Sequence, residues 1–380
     1  MERRLQVALP PLVTDDQSMD AMDIIVGTHH KAGHTAISQL WVDLGSAEPT
    51  LFDVRLGLCT SSVCVNSSRA ASVEAEEDGG PSRRAVCVQM ELSARNTPWI
   101  LPRIFVQPIR DPLAMLVSAF QYHLTLSNTT SGNHAEPWAQ TPMAQPFLTC
   151  RSQAATFDEL VRAASWRGLP GVEHMTYAQY LHTLDVAEGL RVEFAHMSGW
   201  ALGDMVAMYE RAQHRERQQQ QLRAAVPSTA AEGSHRHGRL HVPVRLEDLE
   251  SGYEAAVEVM LRSVGLRGAT LARCVRAAVE RRSSAGRRRS ASEHATDKQA
   301  KASLRVAVAR DRLLCPQVAR LQRRLGYDEM RCFDEPRATP RCGNRCRARR
   351  REARDPWHGD DELYRAWLSG RSLLASDFES

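Results

Sequence analysis

The chain contains no apolar stretch near the roughly 20 residues that a membrane-spanning helix needs, and its mean hydropathy is -0.40. Nor does it carry a decisive charge: +4 over 380 residues is too small to mark the whole molecule as a nucleic-acid or membrane binder. The basic opening MERRLQVALPPLVTDDQ is a poor secretory signal, because its apolar run is short and soon meets Pro10, Pro11 and Asp15. Nine cysteines, an odd number, do not outline a disulfide framework, so free thiols in a reducing compartment are the expectation. Cys342 and Cys346 have no second pair to complete a four-ligand zinc site, and no metal is expected. There is no internal repeat.

What is present is enough apolar residue, 43%, for a large core, arranged as short apolar runs alternating with helical patterns. Strands are expected at 23–28 (DIIVGT), 86–90 (VCVQM), 103–109 (RIFVQPI), 190–194 (LRVEF) and 241–246 (HVPVRL). Helices are expected at 35–44, 113–124, 156–165, 199–223, 250–264 and 303–325. Such alternation implies an α/β fold of three layers, a mostly parallel central sheet with helices on both faces. Residues 1–22 read as a flexible lead and 23–333 as the domain. Polar insertions fall near 66–84, 212–239 and 280–300, and 334–380 reads as an Arg-rich, loosely attached tail.

The loop after the first strand is Gly27-Thr28-His29-His30-Lys31-Ala32-Gly33-His34-Thr35. A glycine before a helix lets backbone N–H groups approach a phosphate closely. A nucleotide-hydrolysing P-loop, however, places lysine directly after its second glycine. Here His34 stands in that position and Lys31 lies two residues before Gly33. The loop therefore suits a phosphate without the magnesium-triphosphate arrangement. His29 and His30 flank it as possible contacts to donor or acceptor, with no carboxylate or cysteine at ligand spacing to make them a metal site.

This segment resembles the sulfotransferase superfamily, whose members place K-x-G-[TS]-T between the first strand and helix to hold the 5′-phosphosulfate of 3′-phosphoadenosine 5′-phosphosulfate. Lys31, Gly33 and Thr35 match, and His34 replaces the first hydroxyl residue. A second motif, Arg110-Asp111-Pro112 with Ser118 and Tyr122 beyond it, is similar to the family's R-[DN]-P, serine and aromatic pattern for the donor's 3′-phosphate. Arginine suits that task because its planar fork matches phosphate oxygens. Weaker likenesses to an algal and plant-type branch lie in His123, in Glu136-Pro137-Trp138 and in Met175 through Leu181, and Leu190 through Met205 resembles the family's following strand and helix. Val244 through Leu249 resembles the late "YEDL" strand, Gly265-Leu266 its following "LGL", and Leu321 through Tyr327 the closing helix.

The resemblance implies a P-loop NTPase-like version of the α/β fold and sulfuryl transfer from that donor to a hydroxyl or amine of a carbohydrate or small molecule. Lys31 would stabilise charge on the leaving oxygen, with Lys31, Ala32, Gly33, His34, Thr35, Arg110 and Ser118 around the donor. Glu91 and His123 are the candidate general bases. Glu247-Asp248 reads as support at the sheet edge, as an orienter of active-site side chains or as a solvated pair, and 287–289 as a charge run that closes over the nucleotide or is simply solvated. Three alternatives stay open: a P-loop kinase or hydrolase, an inactive nucleotide-binding homologue with His34 as the warning sign, and nucleic-acid binding through the tail. Residence is expected in the cytoplasm, although Asn66-Ser67-Ser68 and Asn128-Thr129-Thr130 are formal glycosylation sequons.

Overall fold

A computed structural model describes residues 24–29, 31–57, 84–89, 104–125, 141–144, 151–166, 168–225, 241–288 and 298–333. They divide into two compact units. The first comprises Met1–Asp111, Thr149–Arg151 and Ala201–Ala295; the second Pro112–Leu148, Ser152–Trp200 and Thr296–Ser380.

The first unit is built on five parallel strands: β1 (Ile24–Gly27), β2 (Phe52–Gly57), β3 (Arg84–Gln89), β4 (Ile104–Ile109) and β5 (His241–Arg245), in the order β2-β3-β1-β4-β5. Val26 is paired with Val88 on one side and Val106 on the other, so β1 is the central strand. Side chains alternate across it. Ile24, Val26, Val86, Val88, Ile104 and Val106 face one way, into the main core. That core is completed by α1 (His34–Ala47), α8 (Tyr253–Ser263) and α9 (Gly268–Arg288), with Trp41 against Phe52 at 5.7 Å between ring centroids. Ile25 and Phe105 face the other way, against Ala207, Met208 and Ala212 of α6 (Ala201–Ala225). The result is the expected α/β architecture, a parallel sheet with helices on both faces.

Chain direction also fixes where a ligand fits. From β1 the chain runs out to the β2 edge, returns through β3, and crosses to β4 on the opposite side of β1. Connections from β1 and β4 therefore leave in opposite directions, which makes the carboxyl ends of these two neighbours the switch point at which sheets of this kind bind ligands. A short helix, α7 (Leu246–Ser251), follows β5 at the same edge.

The second unit is helical: α2 (Pro112–Thr125), α3 (Arg151–Trp166), α4 (Tyr177–His182), α5 (Val186–Gly199), α10 (Lys298–Arg310) and α11 (Leu314–Arg324). Pro112 opens α2, where a missing N–H costs nothing.

Several elements differ from the sequence expectation. The segment 190–194 is not a strand but the middle of α5. Asp185 caps that helix by accepting from the Glu188 N–H at 2.8 Å, and Leu190, Glu193, Phe194 and Met197 are buried at helical spacing. Strand β2 went unpredicted; it is an edge strand, with Phe52 buried and Leu56 51% exposed. The helix expected at 303–325 is two, broken where the Asp311 carboxylate accepts from the Leu313 and Leu314 N–H groups, both at 2.9 Å. Gly252 likewise divides 250–264.

Helices α6 and α9 run into the polar stretches read as insertions. Within α9, Arg282 is exposed yet held: its guanidinium lies 4.0 Å over the Tyr253 ring and donates to the Leu249 carbonyl at 2.8 Å. The free-thiol expectation fails as well. Cys315 and Cys332 form a disulfide with Cα atoms 5.8 Å apart, and Cys87 is disulfide-bonded, while Cys274 is a buried free thiol. No described helix is long and apolar enough to cross a membrane. The tail with Cys342 and Cys346, both sequons, and Glu136-Pro137-Trp138 lie outside the described residues.

Candidate active site

The loop joining β1 to α1 leaves the carboxyl end of β1, the strand paired with β4. Two of its residues have left-handed backbone, Lys31 at φ 59° and Gly33 at φ 84°. For Gly33 this is conformationally free, and the space allows nothing larger. A Cβ there would lie 2.6 Å from Leu246 Cδ1 on α7. Gly33 is also the N-cap of α1, so it brings no side-chain oxygen to the first turn, and no acidic residue lies in that turn. The first N–H groups of a helix have no partner within it and carry partial positive charge, which makes this end receptive to an anion. Ala32 is buried, Lys31 half-buried and Thr35 exposed; His34 begins the helix, and its side chain lies outside the described set.

For Lys31 the left-handed turn costs roughly 1–2 kcal/mol, because its Cβ crowds the following carbonyl. Arg110 compensates. It is the first residue after β4, and its Nη1 donates to the Lys31 carbonyl oxygen at 2.8 Å. A hydrogen bond from a charged donor contributes about 1.5–3 kcal/mol, enough to hold the turn. The next residue, Asp111, donates its N–H to Glu247 Oε1 at 3.1 Å, so α7 steadies the start of the β4 exit just as Leu246 packs on Gly33. Lys31 and Arg110, far apart in sequence, are thus brought together on adjacent strand ends. Glu247, expected to support the edge, is the acceptor that does so.

Below the loop lies a buried polar chain that sequence reading missed. Gln107, on the α6 face of β4, is fully enclosed. Its Nε2 donates to the Met205 carbonyl at 2.7 Å and lies 3.4 Å from His29 Nε2, while its Oε1 accepts from His241 Nε2 at 3.2 Å. That pattern requires His29 Nε2 to accept, which makes that ring neutral, and His241 Nε2 to carry a proton. Burial enforces neutrality, lowering His29 to about 3 and His241 to about 4. His29, 1% exposed, is therefore a foot of the loop and not the donor or acceptor contact expected of it; His30 lies outside the described residues. A lone glutamine in the apolar run IFVQPI was the signal available for this network.

The second unit holds Ser118 and Tyr122, both half-buried on α2. His123, on the same helix, is 0% exposed, with Nδ1 2.8 Å from Glu193 Oε2. The Tyr177 hydroxyl donates to the same oxygen at 3.0 Å, and burial followed by the Glu193 charge pushes its pKa well up. His196 packs against Phe157 and Tyr177 at 4.7 and 4.8 Å. Enclosed in this way, His123 ties α2 to α5 and has no face for an acceptor, so its assignment as a general base gives way to a structural role. Glu91, the other candidate base, lies outside the described residues. Among the described residues no group of three or more His, Cys, Asp or Glu side chains could hold a metal ion.

Comparison with known proteins adds one likeness. The fold is similar to mouse sulfotransferase SULT7A1 complexed with PAP, at 14% identity over 75% of each chain and a TM-score of 0.31. A likeness of that size assigns no activity. No protein-family model matches the chain, and no curated protein matches it. Function rests on the residues themselves.

Proposed function

We propose that the chain is a sulfotransferase that moves a sulfuryl group from 3′-phosphoadenosine 5′-phosphosulfate to a hydroxyl or amine acceptor, a carbohydrate or small molecule. One observation supports this above the others: a lysine loop without P-loop spacing and an arginine meet at the switch point of a parallel sheet, joined by the 2.8 Å bond from Arg110 to Lys31. Gly33, His34 and Thr35 offer backbone N–H groups, and Thr35 a hydroxyl, to the 5′ end of the donor, around Ala32, whose own N–H donates to the His29 carbonyl at 3.0 Å. Lys31 supplies positive charge beside it. Arg110, with Ser118 eight residues further along the sequence, is assigned to the 3′-phosphate by the sequence resemblance.

In this reading the acceptor oxygen or nitrogen attacks sulfur in line. The bond from sulfur to the bridging oxygen breaks, and 3′,5′-adenosine bisphosphate leaves with the electron pair. Negative charge grows on the bridging oxygen, and an ammonium group beside it lowers the barrier because it binds that charge more tightly than the ground state. The acceptor proton passes to a base; Glu91 stays the candidate from sequence. Bonded cysteines at 87, 315 and 332 favour an oxidising compartment over the cytosol.

The test is calorimetric titration with 3′,5′-adenosine bisphosphate and with ATP plus magnesium, followed by labelled sulfate transfer to a panel of acceptors. Tighter binding of the bisphosphate, and transfer abolished in Lys31→Ala, are expected. Preference for magnesium-ATP would turn the reading to a kinase or hydrolase. Bisphosphate binding with no transfer to any acceptor would turn it to an inactive homologue.

A further inference from the structure

We propose that Arg110 is the positioning residue of the Lys31 loop, a role separate from any phosphate it grips and one that rests on the donor-binding reading above. The guanidinium has five N–H donors in a rigid fork, so a bond to a carbonyl is compatible with a phosphate on other arms. The carbonyl it holds is that of Lys31, the non-glycine residue with left-handed backbone among the described residues. Arg110 is itself fixed from both sides. It follows the buried strand β4, and the Asp111 N–H is held by Glu247.

Without the anchor, Lys31 relaxes toward ordinary backbone angles. Its carbonyl and the Ala32 N–H, which donates to the His29 carbonyl at 3.0 Å, then rotate together as one rigid peptide plane, and the second bond is strained with the loss of the first. The N–H groups and the Lys31 side chain that face the 5′ end of the donor move out of register. Arg110 therefore affects both ends of the nucleotide: the 3′ end by contact and the 5′ end through Lys31. A lysine at 110 keeps the charge but loses the fork, and does not serve both.

The experiment measures 3′-AMP, 5′-AMP and 3′,5′-adenosine bisphosphate binding to wild type, Arg110→Lys and Arg110→Ala. Melting temperatures are taken alongside. The chain has three lysines, so selective ¹⁵N-lysine labelling gives three backbone amide signals to follow. Arg110→Lys is expected to fold, to shift the Lys31 amide signal, and to weaken 5′-AMP about tenfold, the loss of one charge-assisted hydrogen bond. Arg110→Ala weakens 3′-AMP as well. If 5′-AMP binds Arg110→Lys as it binds wild type and the Lys31 signal stays in place, the positioning role is overturned and the donor reading survives. If wild type binds none of the three adenosine phosphates, the donor reading itself is overturned.

Discussion

Acid should unfold this protein through two histidines that the chemistry does not use. His29 and His241 are buried at 1% and 2% exposure and bonded through Gln107, with pKa values near 3 and 4 against 6.5 in an unfolded chain. Between those values the unfolded state binds protons that the folded state refuses, so stability rises with pH there. The contribution is complete above pH 6.5 and is lost as pH falls toward 4 and then 3. Each ring changes the free energy by about 1.4 kcal/mol per pH unit once well below 6.5. From pH 7 to pH 5 the pair accounts for about 3–4 kcal/mol, a large part of an ordinary total of roughly 5–15 kcal/mol. Urea unfolding at pH 7, 6 and 5, followed by far-ultraviolet circular dichroism, measures this on wild type, His241→Gln and His29→Gln. Each substitution is expected to remove about half of the extra slope, whatever it costs at pH 7. Parallel pH profiles for all three proteins would refute the argument that these rings are kept neutral by burial.

Gly33→Ala should cost about 1–3 kcal/mol and weaken nucleotide binding, since the new methyl meets Leu246 Cδ1 at 2.6 Å and the backbone has φ 84°. Adding Leu246→Ala should restore packing around Gly33→Ala only in part, because the backbone angle is unchanged; chemical unfolding of both variants checks this. Reducing the Cys315–Cys332 disulfide, which closes a loop 17 residues in separation, should lower stability by about 3 kcal/mol. Melting with and without reductant, beside Cys332→Ser, measures it. Glu193→Leu should destabilise the second unit by about 3–5 kcal/mol, because it strips His123 and Tyr177 of their shared acceptor. His123→Ala should lower stability while leaving nucleotide affinity within twofold, and a selective loss of sulfate transfer without loss of stability would reinstate it as a base.

Strands β1, β3, β4 and β5 were legible because each is a short apolar run buried in a parallel sheet, and such runs look alike wherever they occur. Strand β2 was not, since an edge strand needs only one apolar face and its FDVRLG pattern is weak. The segment LRVEF misled because β-branched and aromatic residues favour strands locally, yet Asp185 and the burial of Leu190, Glu193, Phe194 and Met197 impose a helix. The helix break at Asp311 depends on a carboxylate that also pairs with Arg191 at 2.7 Å, 120 residues away, and no local window contains both.

By itself the sequence determined the make-up of the loop. A lysine two residues before Gly33, an absent P-loop lysine and an arginine directly after a buried strand are matters of order along the chain, and order survives any packing. Only the tertiary structure decided which of those residues meet and which are sealed away. It set the Arg110 fork on the Lys31 carbonyl, buried His29 beneath the loop, and enclosed His123 beside Glu193. The reason is physical: burial and hydrogen bonding are settled by segments distant in sequence. A histidine reads the same in the chain whether it ends in water or in a core.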